Sequence, residues 1–146
     1  MEMKNVIISI KGSRRDANGV DSSMEFVTDG MFYHNNGISV FCYNESDLTG
    51  MKGTTTSFTT SPAGSITMTR EGAMNTRMVF EEGKKHCFIY DTPFGSTSMG
   101  VNTKKASFEL NEHGGHMEVD YFVDYQHSVI GHNIFKIDVR ELKEDL

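Results

Sequence analysis

Met117-Glu118-Val119-Asp120-Tyr121-Phe122-Val123-Asp124-Tyr125 alternates with a period of two: Met117, Val119, Tyr121, Val123 and Tyr125 share one face, and Glu118, Asp120, Phe122 and Asp124 the other. Successive side chains of an extended chain point to opposite sides, so this stretch reads as a β-strand with one apolar and one mainly acidic face. Outward from it the same alternation recurs in short segments along almost the whole chain, and none shows the spacing of a long amphipathic helix. A sheet with no helix to cover it must bury its apolar face against itself. The expected fold is therefore an all-β antiparallel meander closed into a barrel of about 8–10 strands in a single domain, residues 1–146. A barrel of that size has room inside for side chains and one small ligand. A β-sandwich satisfies the same alternation and is the alternative.

Val6, Ile8 and Ile10 give a first strand ending at Gly12, and the polar run 13–23 reads as a long rim loop. Residues 24–28 are extended, Asp29-Gly30 a turn, and 31–34 and 38–43 the two arms of a hairpin about Asn35-Asn36-Gly37, where Asn and Gly tolerate positive φ. Ser46 to Gly50 carries the cap residues of one helical turn. Further strands are expected at 53–60, 65–71, 74–81, 86–91, 96–103, 106–111 and 129–141. Glu82-Gly83-Lys84-Lys85 reads as a hairpin turn between 74–81 and 86–91, and His113-Gly114-Gly115-His116 closes the hairpin before the opening stretch.

Composition narrows the function classes. The 146 residues carry a net charge of −6, and Arg14-Arg15 and Lys84-Lys85, the nearest approaches to basic clusters, read as solvated turns, so no nucleic-acid partner is expected. No apolar run reaches the length of a membrane span, and the amino terminus enters a strand without a leader pattern, which reads as a cytoplasmic protein. Cys42 and Cys87 sit in apolar strand patterns and are expected as buried, reduced thiols. No cofactor or metal is expected: His113, His116 and His86 beside Cys87 do not supply the ligand set of a zinc site. Asp120 and Asp124 fall on a solvated face, Gly95-Ser96-Thr97-Ser98 is not a nucleophile elbow, and Thr54-Thr55-Thr56 lacks the lysine and helix of a phosphate loop. Nothing marks the chain as an enzyme.

Four stretches carry a resemblance: residues 48–56, residues 72–80, Thr92-Pro93-Phe94-Gly95, and Met99-Gly100-Val101-Asn102-Thr103. In order and spacing the chain resembles the YwiB-like proteins of Gram-positive bacteria, a small family known only as a domain of unknown function. The resemblance implies a calycin-like barrel, the architecture of lipocalins and fatty-acid-binding proteins, and no catalytic residues, cofactor or ligand.

Strand parity supplies candidate binding residues. Ile66, Met68 and Arg70 share a face, so an inward apolar face carries Arg70 inward, where its fork suits a carboxylate or phosphate. Arg77 lies on a mixed strand, and Tyr90, Tyr121 and Tyr125 place hydroxyls on otherwise apolar faces. These five define the expected site of a small amphipathic or anionic ligand in the barrel interior. The competing expectation is a filled barrel that works through its surface as an interaction module or homodimer, with methionines such as Met31, Met51, Met74, Met78 and Met99 forming adaptable apolar patches.

Overall fold

The computed structural model describes residues 3–92 and 94–142. Ten strands follow one another: β1 (Lys4–Asp16), β2 (Asp21–Asn35), β3 (Ile38–Asn44), β4 (Thr54–Thr60), β5 (Ile66–Gly72), β6 (Thr76–Phe80), β7 (Lys85–Thr92), β8 (Gly95–Asn111), β9 (Gly114–Tyr125) and β10 (Ser128–Glu141). One 3₁₀ turn, Asp47–Thr49, separates β3 from β4, capped by Ser46 and closed by left-handed Gly50 as its sequence requires. No α-helix occurs among the described residues.

All ten strands form one antiparallel sheet in the order β6-β5-β4-β3-β2-β1-β10-β9-β8-β7, curled into a nearly closed barrel. The first and last strands pair along their length, from Val6↔Glu141 to Asp16↔Gly131. The seam falls between β6 and β7, which pack side by side without a ladder; Thr76 Oγ1 donates to the Ile89 carbonyl at 3.3 Å across it. The expected hairpin at 82–85 is thus corrected. Its turn bonds instead to β8, Gly83 N–H to Thr103 O at 2.8 Å and Thr103 N–H to Lys84 O at 3.2 Å.

Three other expectations are corrected. The run 13–23 is no loop: β1 and β2 stay paired to Arg15↔Asp21, and the turn is tied by Asp16, whose Oδ1 accepts from the N–H groups of Asn18 and Val20 at 2.9 Å each. Asp29-Gly30 is no turn, since β2 runs straight through it and a Cβ at residue 30 would press on the Cys42 carbonyl and sit 2.5 Å from Ile8 Cδ1. Residues 96–103 and 106–111 are one strand, β8, interrupted by a bulge where pairing passes from Thr103↔Tyr121 to Lys105↔Asp120. The Asn36-Gly37 turn is as expected, with φ of 53° and 78°.

Strand direction sorts the turns into two ends. Asn36-Gly37, the connections 61–64 and 81–84, and Glu112-His113 lie at one end; the β1–β2 turn, the 3₁₀ turn, the connections 73–75 and 126–127 and the junction where Thr92 pairs with Gly95 lie at the other. Inward residues of the first end fill it: Val6, Ile8, Phe32, Phe41, Phe58, Ile66, Phe80, Met117, Ile137 and Val139 are buried. A stack runs from Phe41 to Phe58, centroids 5.0 Å apart, then from Phe58 to Phe135 and from Phe135 to Phe80, each 5.7 Å. That stack is the floor of what lies above it.

Candidate functional site

Above the aromatic floor a cavity of about 730 Å³ opens toward the second end. Its volume lies within the range of small-molecule sites, about 300–1,000 Å³. Met74, Thr76 and Met78 come from β6 and the turn before it, Phe88 and Tyr90 from β7, Met99 from β8, Tyr121 from β9 and Phe135 from β10. The β1–β2 hairpin supplies Arg14, Ser22 and Met24, and the 3₁₀ turn supplies Thr49.

Cross-strand register aligns two inward rows. Tyr43 pairs with Thr56, Thr56 with Arg70 and Arg70 with Thr76 along β3 to β6. On the other wall Ser22 pairs with Arg14, Arg14 with Asn133, Asn133 with Tyr121 and Tyr121 with Thr103. Each row holds one arginine, and neither arginine makes an ion pair among the described residues. Arg70 Nε and Thr103 Oγ1 are buried side-chain polar atoms with no hydrogen-bond partner there. A buried donor left unpaired costs about 1–3 kcal/mol, so Arg70 Nε marks where a ligand acceptor would be stabilised.

The carboxylate beside the first row is already occupied. Glu45 is 6 % exposed, and its two oxygens accept from Thr49 Oγ1 at 2.7 Å and Thr56 Oγ1 at 2.8 Å, fastening the 3₁₀ turn to β4 at the cavity edge. Burial raises the pKa of the Tyr43 phenol far above its ordinary value, and the adjacent Glu45 charge raises it further. Burial also raises that of Tyr121, against the opposing pull of the Arg70 and Arg14 cations. Both phenols are therefore neutral near pH 7 and present O–H donors. The sign of their effect on stability follows: a folded-state pKa above the ordinary value of 10 favours folding fully below pH 10 and loses that contribution as pH rises. Denaturant melts at pH 8 and pH 11 should show stability falling on the alkaline side, and Tyr43→Phe should flatten the fall; an unchanged slope in the variant would remove Tyr43 as its source.

Of the sequence candidates, Arg70, Tyr90 and Tyr121 are brought together in the cavity. Arg77 is exposed on the outer face of β6, opposite in parity to Met78, and Tyr125 is exposed at the end of β9; neither lines the cavity. Arg14, read as part of a solvated turn, is exposed at the mouth and lines it. Its signal was the parity of Val6, Ile8 and Ile10 carried past Gly12. Met74, Met78 and Met99 line the same space, whereas Met31 and Met51 are half-buried elsewhere.

The outer wall departs from expectation in two places. Asp124 is not solvated but 8 % exposed, held by Lys85 Nζ at 3.0 Å and Asn102 Nδ2 at 2.7 Å, while Asp120 meets His132 Nε2 at 2.5 Å and Phe122 stacks on the His132 ring. Cys87 is exposed and Cys42 half-buried, and both are free thiols, so the expected buried pair is corrected by the outward parity of Cys87 beside inward Phe88. His113 pairs with Glu141 at 3.1 Å, and among the described residues no three His, Cys, Asp or Glu side chains gather to hold a metal. No helix there is long and apolar enough to cross a membrane.

A nearly closed antiparallel barrel, packed at one end and hollow at the other with cations on two walls, is the class that fold and cavity define. The chain belongs to the YwiB-like family described as a domain of unknown function (DUF1934), whose model matches residues 8–137. Its fold is similar to that of the crystal structure of the YwiB protein from Bacillus subtilis, with a TM-score of 0.83 over 97 % of this chain and 94 % of that one at 20 % identity. At that identity the likeness shows the fold alone. A search of curated proteins finds no match.

Proposed function

We propose that the protein is a calycin-like binding barrel for a small amphipathic anion. The ligand's carboxylate, sulfonate or phosphate is held by Arg70 with help from Arg14, and its apolar part rests on Met78, Phe88 and Phe135. The observation that carries this reading is Arg70 itself: a cation facing an open cavity, without an ion pair, its buried Nε unpartnered. Tyr90 and Tyr121 supply donors that orient the headgroup, and the methionines give a lining that adapts to irregular apolar shapes. Two unpaired cysteines accord with a reducing, cytoplasmic setting.

Anilinonaphthalene sulfonate and its neutral isologue phenylnaphthylamine share a ring system and differ in the anion, so a fluorescence titration with both separates headgroup from cavity. Arg70→Gln should weaken sulfonate binding by about ten- to a hundredfold, the loss of a charge-assisted hydrogen bond, and leave the neutral probe unchanged. Arg77→Gln should change neither. Sulfonate affinity that survives Arg70→Gln would remove the anion from the reading.

A further inference from the structure

β3 pairs with β2 only from Asn35↔Ile38 to Met31↔Cys42; toward the open end β2 continues with β1 on one side and no strand on the other among the described residues. Over 22–29, alternate residues direct their N–H and C=O groups away from β1, leaving a sheet edge several residues long. Proteins ordinarily blunt such an edge with lysine, proline, a bulge or a cover. Residues 22–29 hold no lysine, no proline and no bulge, their charges being Glu25 and Asp29, and Val27 is 64 % and Met24 40 % exposed along them.

The two faces of that edge differ. Inward, Ser22 and Met24 line the cavity mouth, so the edge is also the cavity's rim. Outward stand Glu25 and Asp29; Glu25 has only Lys11 at 3.8 Å, both side chains well exposed, and Asp29 has no ion pair among the described residues. We infer that this edge docks an extended basic peptide, which adds as a further antiparallel strand, sets Lys or Arg against Glu25 and Asp29, and lays apolar side chains over the cavity mouth. Main-chain bonds supply affinity and the alternating side chains specificity in such an addition. A second copy of β2 is disfavoured, because it brings more carboxylates to an acidic edge. The inference goes beyond the anion site and does not use Arg70.

The probe is a short peptide of alternating Val and Lys, acetylated and amidated, compared with one of alternating Val and Glu. The lysine peptide should bind saturably and slow amide hydrogen exchange at residues 22–29, and the glutamate peptide should not. In the double variant Glu25→Lys, Asp29→Lys, two exposed charges are reversed, and the preference should invert, by about two- to thirtyfold for two cross-strand pairs. Methylating the peptide nitrogens at one alternate set of residues should abolish binding and at the other set spare it. Lysine-peptide binding that leaves exchange at 22–29 unchanged, or ignores the methylation register, overturns the inference. So does protection of 22–29 that grows with protein concentration alone, which would assign the edge to a second copy. Sulfonate titration of the cavity is read separately, so failure here and failure there are distinguishable.

Discussion

Phe80→Ala should lower the unfolding free energy by about 3–5 kcal/mol, the usual cost of removing a buried phenylalanine ring. Phe80 is 0 % exposed, and its ring meets Tyr121 at 4.8 Å and Phe135 at 5.7 Å. The position is more sensitive than a central one because β6 is a sheet edge: its ladder bonds run only to β5, so on the other side inward packing by Met78 and Phe80 holds it together with the Thr76 Oγ1–Ile89 O bond. The same ring is part of the aromatic floor under the cavity, so its loss deepens the cavity. Urea unfolding should show an earlier midpoint with the slope retained, and the neutral naphthylamine probe should bind with altered affinity. Val79→Ala, one residue away on the outer face, should cost far less. A loss below about 1 kcal/mol at Phe80 would mean that the floor closes over the gap and is not a fixed packing layer.

The architecture was legible because closure is a local consequence. Alternation in residues 117–125 required a strand, and the lack of any helix to cover its apolar face required the sheet to cover itself. Turn chemistry was legible where backbone conformation dictates residue type, as at Asn36-Gly37 and at the Ser46 and Gly50 caps. It misled where glycine serves proximity instead of turning. Gly30 lies mid-strand because the Cys42 carbonyl and the Ile8 side chain leave no room for a Cβ, and a close approach between strands distant in sequence leaves no local mark. Polar composition misled at 13–23, where residues are hydrophilic because the hairpin overhangs the barrel, not because it is irregular.

The cavity was legible in part for the same reason. Parity fixed which residues share a face, so Arg70 followed Ile66 and Met68 inward. Parity does not fix height along the barrel axis, and height separates Tyr121 in the cavity from Tyr125, two pairs of residues further toward the rim of the same strand. Arg77 failed on parity itself, as an outward residue of a strand whose two faces both carry apolar groups. Arg14 was lost when the strand was ended at Gly12, since the register that carries β1 on to Asp16 is set by pairing with β10, more than a hundred residues away.

Gly115→Ala is expected to cost about 2–6 kcal/mol, the sum of a strained backbone and an overpacked site. The pair Gly114-Gly115 looks like a turn, yet the turn is Glu112-His113, and both glycines belong to β9, paired with Asn111 and Leu110 on one side and Arg140 and Val139 on the other. Gly115 has φ of 145°, where L residues are rarely found, and a Cβ there would be driven into the Glu109 carbonyl oxygen, with Leu110 Cα at 3.1 Å. Backbone strands cannot yield as a side chain can, so relief requires parting β9 from β8 where the chain also joins the β10 ladder. Gly19→Ala separates the two contributions: its φ of 77° imposes strain, but nothing lies within 4 Å of the added Cβ. That variant should therefore lose only about 1–2 kcal/mol. The difference between the two variants in calorimetric melting then reads the strand clash together with the extra strain of φ 145° over φ 77°; equal losses would show that neither adds a cost at Gly115.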